Sequence, residues 1–515
     1  MPRKLLFLVL ALVLAACNLT APITPPPAVP PGTPFPTGTF PAVTGPNPTS
    51  KVAAFYYPWY ATPQIDGRWR HWPQNGHTPP RDLGSDFYPL LGAYSSSDAA
   101  IVAQHMEWLR QAGVGVAIVS WWGQGSPEDA VIPRILEIAP RYGIQVAFHI
   151  EPYDARTANS LVEDIKYLYS RYGSSPAFYR STASTTYSPT AAPKGLFFVW
   201  CTASASGCGR DTVSPGYWQP AMDAVHALPE GALVIANDTD GSWVTGGHFD
   251  GLYNYATLHL EQDGGFAWAR SVPAGALYIP SVIPGFSAQR VAYAADTTVP
   301  RNDGQTYNDQ WTAALNTGVE PAMVTITSFN EWHEGTMIEP AAPGMDDGHG
   351  NRYADFGKLP PDGYLSLTRQ WVEKFQAAAQ APAYRARIQI KTTSDWTTVS
   401  LAGGQWLQPA PVSASAAAVK AGFERGDNFL LSQSLEDAQR GQEVEMTWDV
   451  QLAGLTSGSA LQLQIDRGNI GRTEVAVYNF NGEIPALLHV FRWAEVTSGR
   501  NSGIFTLTAD ECMTP

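Results

Sequence analysis

A chain of 515 residues with 32 Lys and Arg against 46 Asp and Glu carries a formal charge of −14. That sign excludes binding of nucleic acid or acidic lipid through a basic face, because phosphates need cations to neutralise them. Apolar residues make up 44% of the chain, enough for a large buried core and against wholesale disorder. Its 17 Trp, 22 Tyr and 20 Phe fit either a sugar-handling surface, where rings stack on C–H faces, or a core built from large rings.

At the N-terminus the basic Pro2-Arg3-Lys4 precedes an unbroken apolar run from Leu5 to Ala16. The run is too short for a bilayer core, which needs about 20 residues, and fits the apolar region of a signal peptide. It ends in Leu14-Ala15-Ala16-Cys17, similar to the bacterial lipobox. Residues 1–17 are therefore read as a lipoprotein signal with Cys17 as the lipidation site. The protein is expected to be exported and lipid-anchored at the bacterial cell surface or membrane. Residues 18–50 hold eleven prolines and no charged side chain, the composition of an extended stalk.

From residue 51 onward, short apolar runs alternate with longer amphipathic stretches. Strands are expected over residues 52–57, 115–120, 145–150, 195–200, 233–236, 251–255, 277–281 and 323–327. Helical periodicity follows over 99–112, 130–142, 158–172, 310–317 and 364–379. Eight near-continuous apolar strands alternating with helices point to a (β/α)8 TIM barrel over 51–380, working at the C-terminal ends of its strands. A doubly wound open sheet is the alternative, but no Gly-rich phosphate loop follows the first strand. Cys201 and Cys208, in a Gly/Ser/Ala-rich loop, can close a disulfide in an exported protein. No Cys/His spacing matches a zinc site. Residues 381–515 alternate with period two between turn clusters and read as an all-β sandwich, either a carbohydrate-binding module or a spacer.

Three strands end in chemistry. The second ends Ser120-Trp121-Trp122, with one indole expected in the core and one at the site. The third ends His149-Ile150-Glu151-Pro152-Tyr153. The eighth ends Asn330-Glu331-Trp332-His333-Glu334-Gly335. Glycoside cleavage needs two carboxyl groups, and strand ends bring them together at the barrel mouth. Glu331 and Glu334, three apart, would lie about 5–6 Å from each other at Cβ on one helical turn. His333 is either a site residue or a hydrogen-bonded support, with support favoured.

Residues 55–66, 86–98, 113–122, 148–153, 172–180, 249–255 and 326–339 resemble glycoside hydrolase family 99, the endo-α-1,2-mannosidases and endo-α-1,2-mannanases. The last of these, ITSFNEWHEGTMIE, is long and specific. The resemblance implies a retaining endo-hydrolase of α-mannosidic linkages that needs no metal and no cofactor. It implies that Glu331 acts as base on the substrate's 2-hydroxyl and that Glu334 acts as acid and then base, through a 1,2-anhydro-sugar. Glu151 and Tyr255 match substrate-pocket positions, and Trp122 stands where bacterial members carry Trp and animal members Tyr. Tyr57, Tyr60, His71, Tyr153, Trp332 and His333 complete the expected substrate contacts. The expected partner is an α-mannan or mannose-rich oligosaccharide, bound by a monomer that meets membrane only through its lipid.

The chain departs from the family pattern in places. Only one His-Trp pair, His71-Trp72, is evident, and Met337 stands where Gln is usual. Residues 256–258 replace an expected Phe-rich stretch. A non-catalytic glycan-binding lipoprotein on a decayed barrel is the alternative function; a third reading keeps the chemistry on another α-glycan.

Overall fold

The computed structural model describes residues 47–380, apart from 209–210, 256–266, 292–297, 316 and 318, together with the strands of the C-terminal region and a few residues beside them. Cys17, the signal peptide and nearly all of the stalk lie outside the described residues. The chain divides into two compact units between Glu373 and Lys374.

The first unit is a closed barrel. Its parallel strands are β1 (Thr49–Tyr56), β2 (Val114–Trp121), β3 (Gln145–Ile150), β4 (Lys194–Val199), β5 (Ala232–Asn237), β6 (Gly251–Asn254), β7 (Leu277–Val282) and β8 (Val324–Ile326). β1 pairs with both β2 and β8, and β3 pairs with β4 through Phe148 and Phe197, which closes the ring. Every residue of β2 is buried, as expected of parallel strands covered on both faces. The open-sheet alternative is excluded by that closure.

Helices α1 (Ala99–Gln111), α2 (Pro127–Ile138) and α3 (Ala158–Tyr172) follow the first three strands. Each begins where a side chain accepts an otherwise unpaired backbone N–H: Asp98 from Ala100, Ser126 from Asp129, and Thr157 from Ser160. Ser160 returns the bond to Thr157 N–H, completing a capping box. α2 begins three residues before its expected start, with Pro127 in the first turn. α4 (Pro215–His226), unforeseen, follows β4; α5 (Gln305–Leu315) precedes β8 and α6 (Gly363–Gln380) comes after it. Among the described residues after β5 and β6, short helical turns occur at Ser242–Thr245 and Ala267–Ser271.

The second unit contains two antiparallel sheets. One centres on Tyr384–Thr392 between Val444–Leu452 and Thr473–Asn479; the other centres on Thr397–Ala402 and Ala460–Arg467. Ile388, Ile390, Val475 and Val477 are buried in the first, Leu463 and Ile465 in the second.

Candidate active site

Beyond β8 the chain folds back on itself. Ser328 N–H donates to Thr336 O (2.9 Å), and Ile338 N–H donates to Ser328 O (3.0 Å). Residues 332–335 form the tip as a turn, with Gly335 N–H donating to Trp332 O at 3.3 Å. The helical turn expected there is absent. Gly335 has φ +58°, and a Cβ on it would meet Ser287 O at 2.7 Å. Arg301 holds the tip from behind, its Nη2 donating to Gly335 O (2.9 Å) and Met337 O (2.7 Å). The guanidinium sits among the rings of Phe87, Phe356 and Tyr364, 4.6 to 4.8 Å from their centroids.

Glu331 is buried at the start of this turn. Its N–H donates to Ser328 Oγ (2.8 Å), and its Oε1 accepts the His333 N–H (3.0 Å). Burial, then the charge of Glu334, push Glu331 well above the usual carboxyl range. Glu334 is partly exposed. Burial and then the charge of Glu151 push it up to about 7, and a hydrogen bond from Tyr255 partly offsets them. Because the charge of Glu334 raises Glu331, ionising both carboxyls together is disfavoured.

Residues from the other strand ends surround this pair. Tyr57, just past β1, exchanges bonds with Asn330: its N–H donates to Oδ1 (2.7 Å), and Nδ2 donates to its carbonyl (3.1 Å). The Tyr57 and Tyr255 hydroxyls lie 2.5 Å apart. Both are buried and raised well above their ordinary value, first by desolvation and further by Glu151, Glu331 and Glu334. The charges of three carboxyl groups therefore act on this tyrosine pair. Glu151 Oε1 accepts the Ser120 hydroxyl (2.7 Å), and Ser120 Oγ accepts the Trp122 indole N–H (3.1 Å). His149 Nδ1 lies 3.0 Å from Glu151 Oε1 without hydrogen-bond alignment, while its Nε2 is 2.6 Å from the Tyr253 hydroxyl.

Trp121 is fully buried with its N–H on Asp129 (2.8 Å), whereas Trp122 is partly exposed. His71 stacks on Trp59 at 4.4 Å, and burial and then His333 hold it well below the usual histidine range. His333 donates Nδ1–H to Gly84 O (2.5 Å); burial lowers it to about 4, so it is a neutral support for the turn.

Two expected substrate contacts are buried beneath the turn instead. Tyr60 is 1% exposed, its hydroxyl holding Asn330 O (3.0 Å) and Trp332 N–H (3.1 Å), so it braces the turn from beneath. Trp332 is fully buried, with its indole N–H on Glu339 (2.9 Å), and has no face to offer a sugar. The Tyr153 hydroxyl is bonded to Ser160 (2.9 Å) and Asp164 on α3, and its partly exposed ring lies beside Gly123.

Sequence reasoning missed Ser120, Asn330 and Glu339 as parts of the site, although all three lie within the motif segments. Glu339 is fully buried and accepts from Tyr94 (2.8 Å) and Trp332 (2.9 Å). Cys201 and Cys208 are bonded, Cα to Cα 5.6 Å, in the loop after β4. Arg156 donates to the carbonyls of Trp200 (2.7 Å), Ser204 (2.9 Å) and Ala205 (2.8 Å) in that loop, and of Ile150 (3.1 Å) beside Glu151. Among the described residues, no three His, Cys, Asp or Glu side chains form a group that could hold a metal.

The profile described as Glycosyl hydrolase family 99 matches residues 49–377. The chain is 34% identical over 360 residues to the Mus musculus glycoprotein endo-alpha-1,2-mannosidase, covering 62% of this chain and 74% of that protein. It is 35% identical over 374 residues to the Homo sapiens glycoprotein endo-alpha-1,2-mannosidase-like protein, covering 63% and 76%. Among solved structures it resembles the family 99 endo-alpha-mannosidase of Bacteroides thetaiotaomicron, at 31% identity and a TM-score of 0.56, over 65% of this chain and all of that one.

Proposed function

The chain belongs to glycosyl hydrolase family 99, and we propose that this glycoside hydrolase cleaves internal α-1,2-mannosidic linkages of a mannan with retention of configuration. The observation that carries the reading is the pair Glu331 and Glu334 on the turn after β8, where Ser328 and the His333 N–H fix Glu331 and burial raises both carboxyls, Glu334 to about 7. Near neutral pH such a pair holds one proton between its members. A sugar 2-hydroxyl donating to Glu331 favours the anion there and leaves the proton on Glu334.

The steps then balance. Glu331 takes the 2-hydroxyl proton as O2 attacks C1, and Glu334 gives its proton to the departing glycosidic oxygen. The product is a 1,2-anhydro-sugar. Glu334, now ionised, takes a proton from the water that opens C1, and Glu331 returns its proton to O2. Two inversions at C1 give net retention. Backside attack needs the 2-hydroxyl trans-diaxial to the leaving group, which α-manno geometry supplies and α-gluco does not.

Chromatography of products from an α-1,2-linked mannan tests the substrate reading. Short oligosaccharides released from within chains support it, whereas intact polymer refutes it. For location, the apolar run ending at Cys17 supports export and lipid anchoring. Labelled palmitate incorporated into the wild type and absent from Cys17→Ala is the expected outcome. Light scattering of the purified protein tests the monomer.

A further inference from the structure

We propose that Ser120 is a positioning residue that joins the Trp122 indole and the Glu151 carboxylate into one unit, setting the two sides of the sugar-binding wall together. The inference rests on the glycosidase reading above and goes beyond its two carboxyl groups.

Ser120 is 1% exposed near the end of β2. Its hydroxyl oxygen accepts from Trp122 Nε1 at 3.1 Å and lies 2.7 Å from Glu151 Oε1. An indole N–H can only donate, and a serine hydroxyl has one hydrogen. The direction of the relay is therefore fixed, and the single Ser120 hydrogen goes to the carboxylate. The backbone holds the same parts in register: Ser120 pairs with His149, and Glu151 N–H donates to Trp121 O at 3.0 Å. Trp122 belongs to the wall and Glu151 to the carboxyl cluster, so a serine with no surface of its own aligns both.

Glu151 has neighbours of both signs. His149 lies against it, Tyr57, Tyr253, Tyr255, Glu128, Glu331 and Glu334 feel its charge, and Arg156 is the cation among them. That charge is, after burial, the largest influence raising Glu334. A Glu151 that has lost its hydroxyl donor is free to turn away from Glu334. Glu334 then releases its proton at lower pH.

The test is a double-mutant cycle of Ser120→Ala and Trp122→Phe, with kcat, KM and the pH profile measured on an α-manno-oligosaccharide. Each single change is expected to lower kcat/KM about tenfold, in line with a hydrogen bond to a charged group. The double variant should be no worse than the poorer single. The alkaline limb should move to lower pH in Ser120→Ala and stay in place in Trp122→Phe. Ser120→Thr keeps the hydroxyl and is expected to retain activity, which separates the relay from packing. Multiplicative losses with an unmoved limb would overturn the proposal. The indole N–H resonance of Trp122, assigned by its loss in Trp122→Phe, reads the same bond without substrate. It should exchange slowly in the wild type and shift in Ser120→Ala; an unchanged signal would also overturn the relay. A shifted signal in a protein that leaves α-mannosides uncut keeps the relay and removes the substrate reading.

Discussion

The hydroxyls of Tyr57 and Tyr255 meet at 2.5 Å, linking the end of the first barrel strand to that of the sixth. The Tyr255 hydroxyl stabilises the Glu334 anion and thereby opposes the rise of its carboxyl. Two strand ends thus meet beside one acid.

Removing that donor has a signed consequence. In Tyr255→Phe the Glu334 anion loses a stabilising bond, so the acid should hold its proton to higher pH. The alkaline limb of kcat/KM should rise above that of the wild type, while kcat falls roughly tenfold. Tyr57→Phe should do the same more weakly. A limb that falls would contradict the arrangement.

Activity itself should follow a bell. It needs Glu334 protonated, so it should decline as pH rises through about 7. Folding stability carries the same sign. A carboxyl raised in the fold contributes stability that is fully present below its unfolded value, about 4.3, and lost as pH climbs through about 7. Thermal melts of Glu334→Gln should therefore exceed the wild type by a few degrees at pH 8. At pH 4 the difference should vanish.

The two carboxyl roles can be separated by the leaving group. Glu334→Gln should lose about 10²–10⁴-fold on a sugar leaving group. It should recover much of this on an α-mannosyl fluoride, which departs without a proton. Glu331→Gln should be crippled on both, since the base is needed whatever departs. Equal loss by both variants on both substrates would sink the assignment.

Arg301 offers a test of the turn. Arg301→Met removes the donor to the Gly335 and Met337 carbonyls. A loss of about 1.5–3 kcal/mol in stability is expected, with kcat falling more than KM rises. Gly335→Ala should be similarly impaired, because its Cβ would meet Ser287 O at 2.7 Å in a left-handed backbone. Urea unfolding and steady-state kinetics measure both.

The barrel was legible because parallel strands buried on both faces read as continuous apolar runs, and Val114–Trp121 is such a run. Helix α4 was not, because Pro215 and Pro220 disguise it; burial of Trp218, Met222 and Val225 stabilises it. Glu151, Glu331 and Glu334 stood out as carboxylates at strand ends. Tyr60 and Trp332 were misread because an aromatic at a strand end suits a sugar or a core equally well. Only tertiary packing shows their burial. Asn330 was invisible as a site residue because its partner Tyr57 is 273 residues away. Ser120 acquires meaning only when β3 lies beside β2.

The most direct test of the central claim is the anomeric configuration of the first-formed product, followed by proton NMR while an α-1,2-manno-oligosaccharide is cleaved. The α-anomer should appear first and then mutarotate toward equilibrium, with no signal in Glu331→Gln or Glu334→Gln. The β-anomer appearing first would mean a single inversion at C1, and would contradict the participation of the 2-hydroxyl with Glu331 and Glu334.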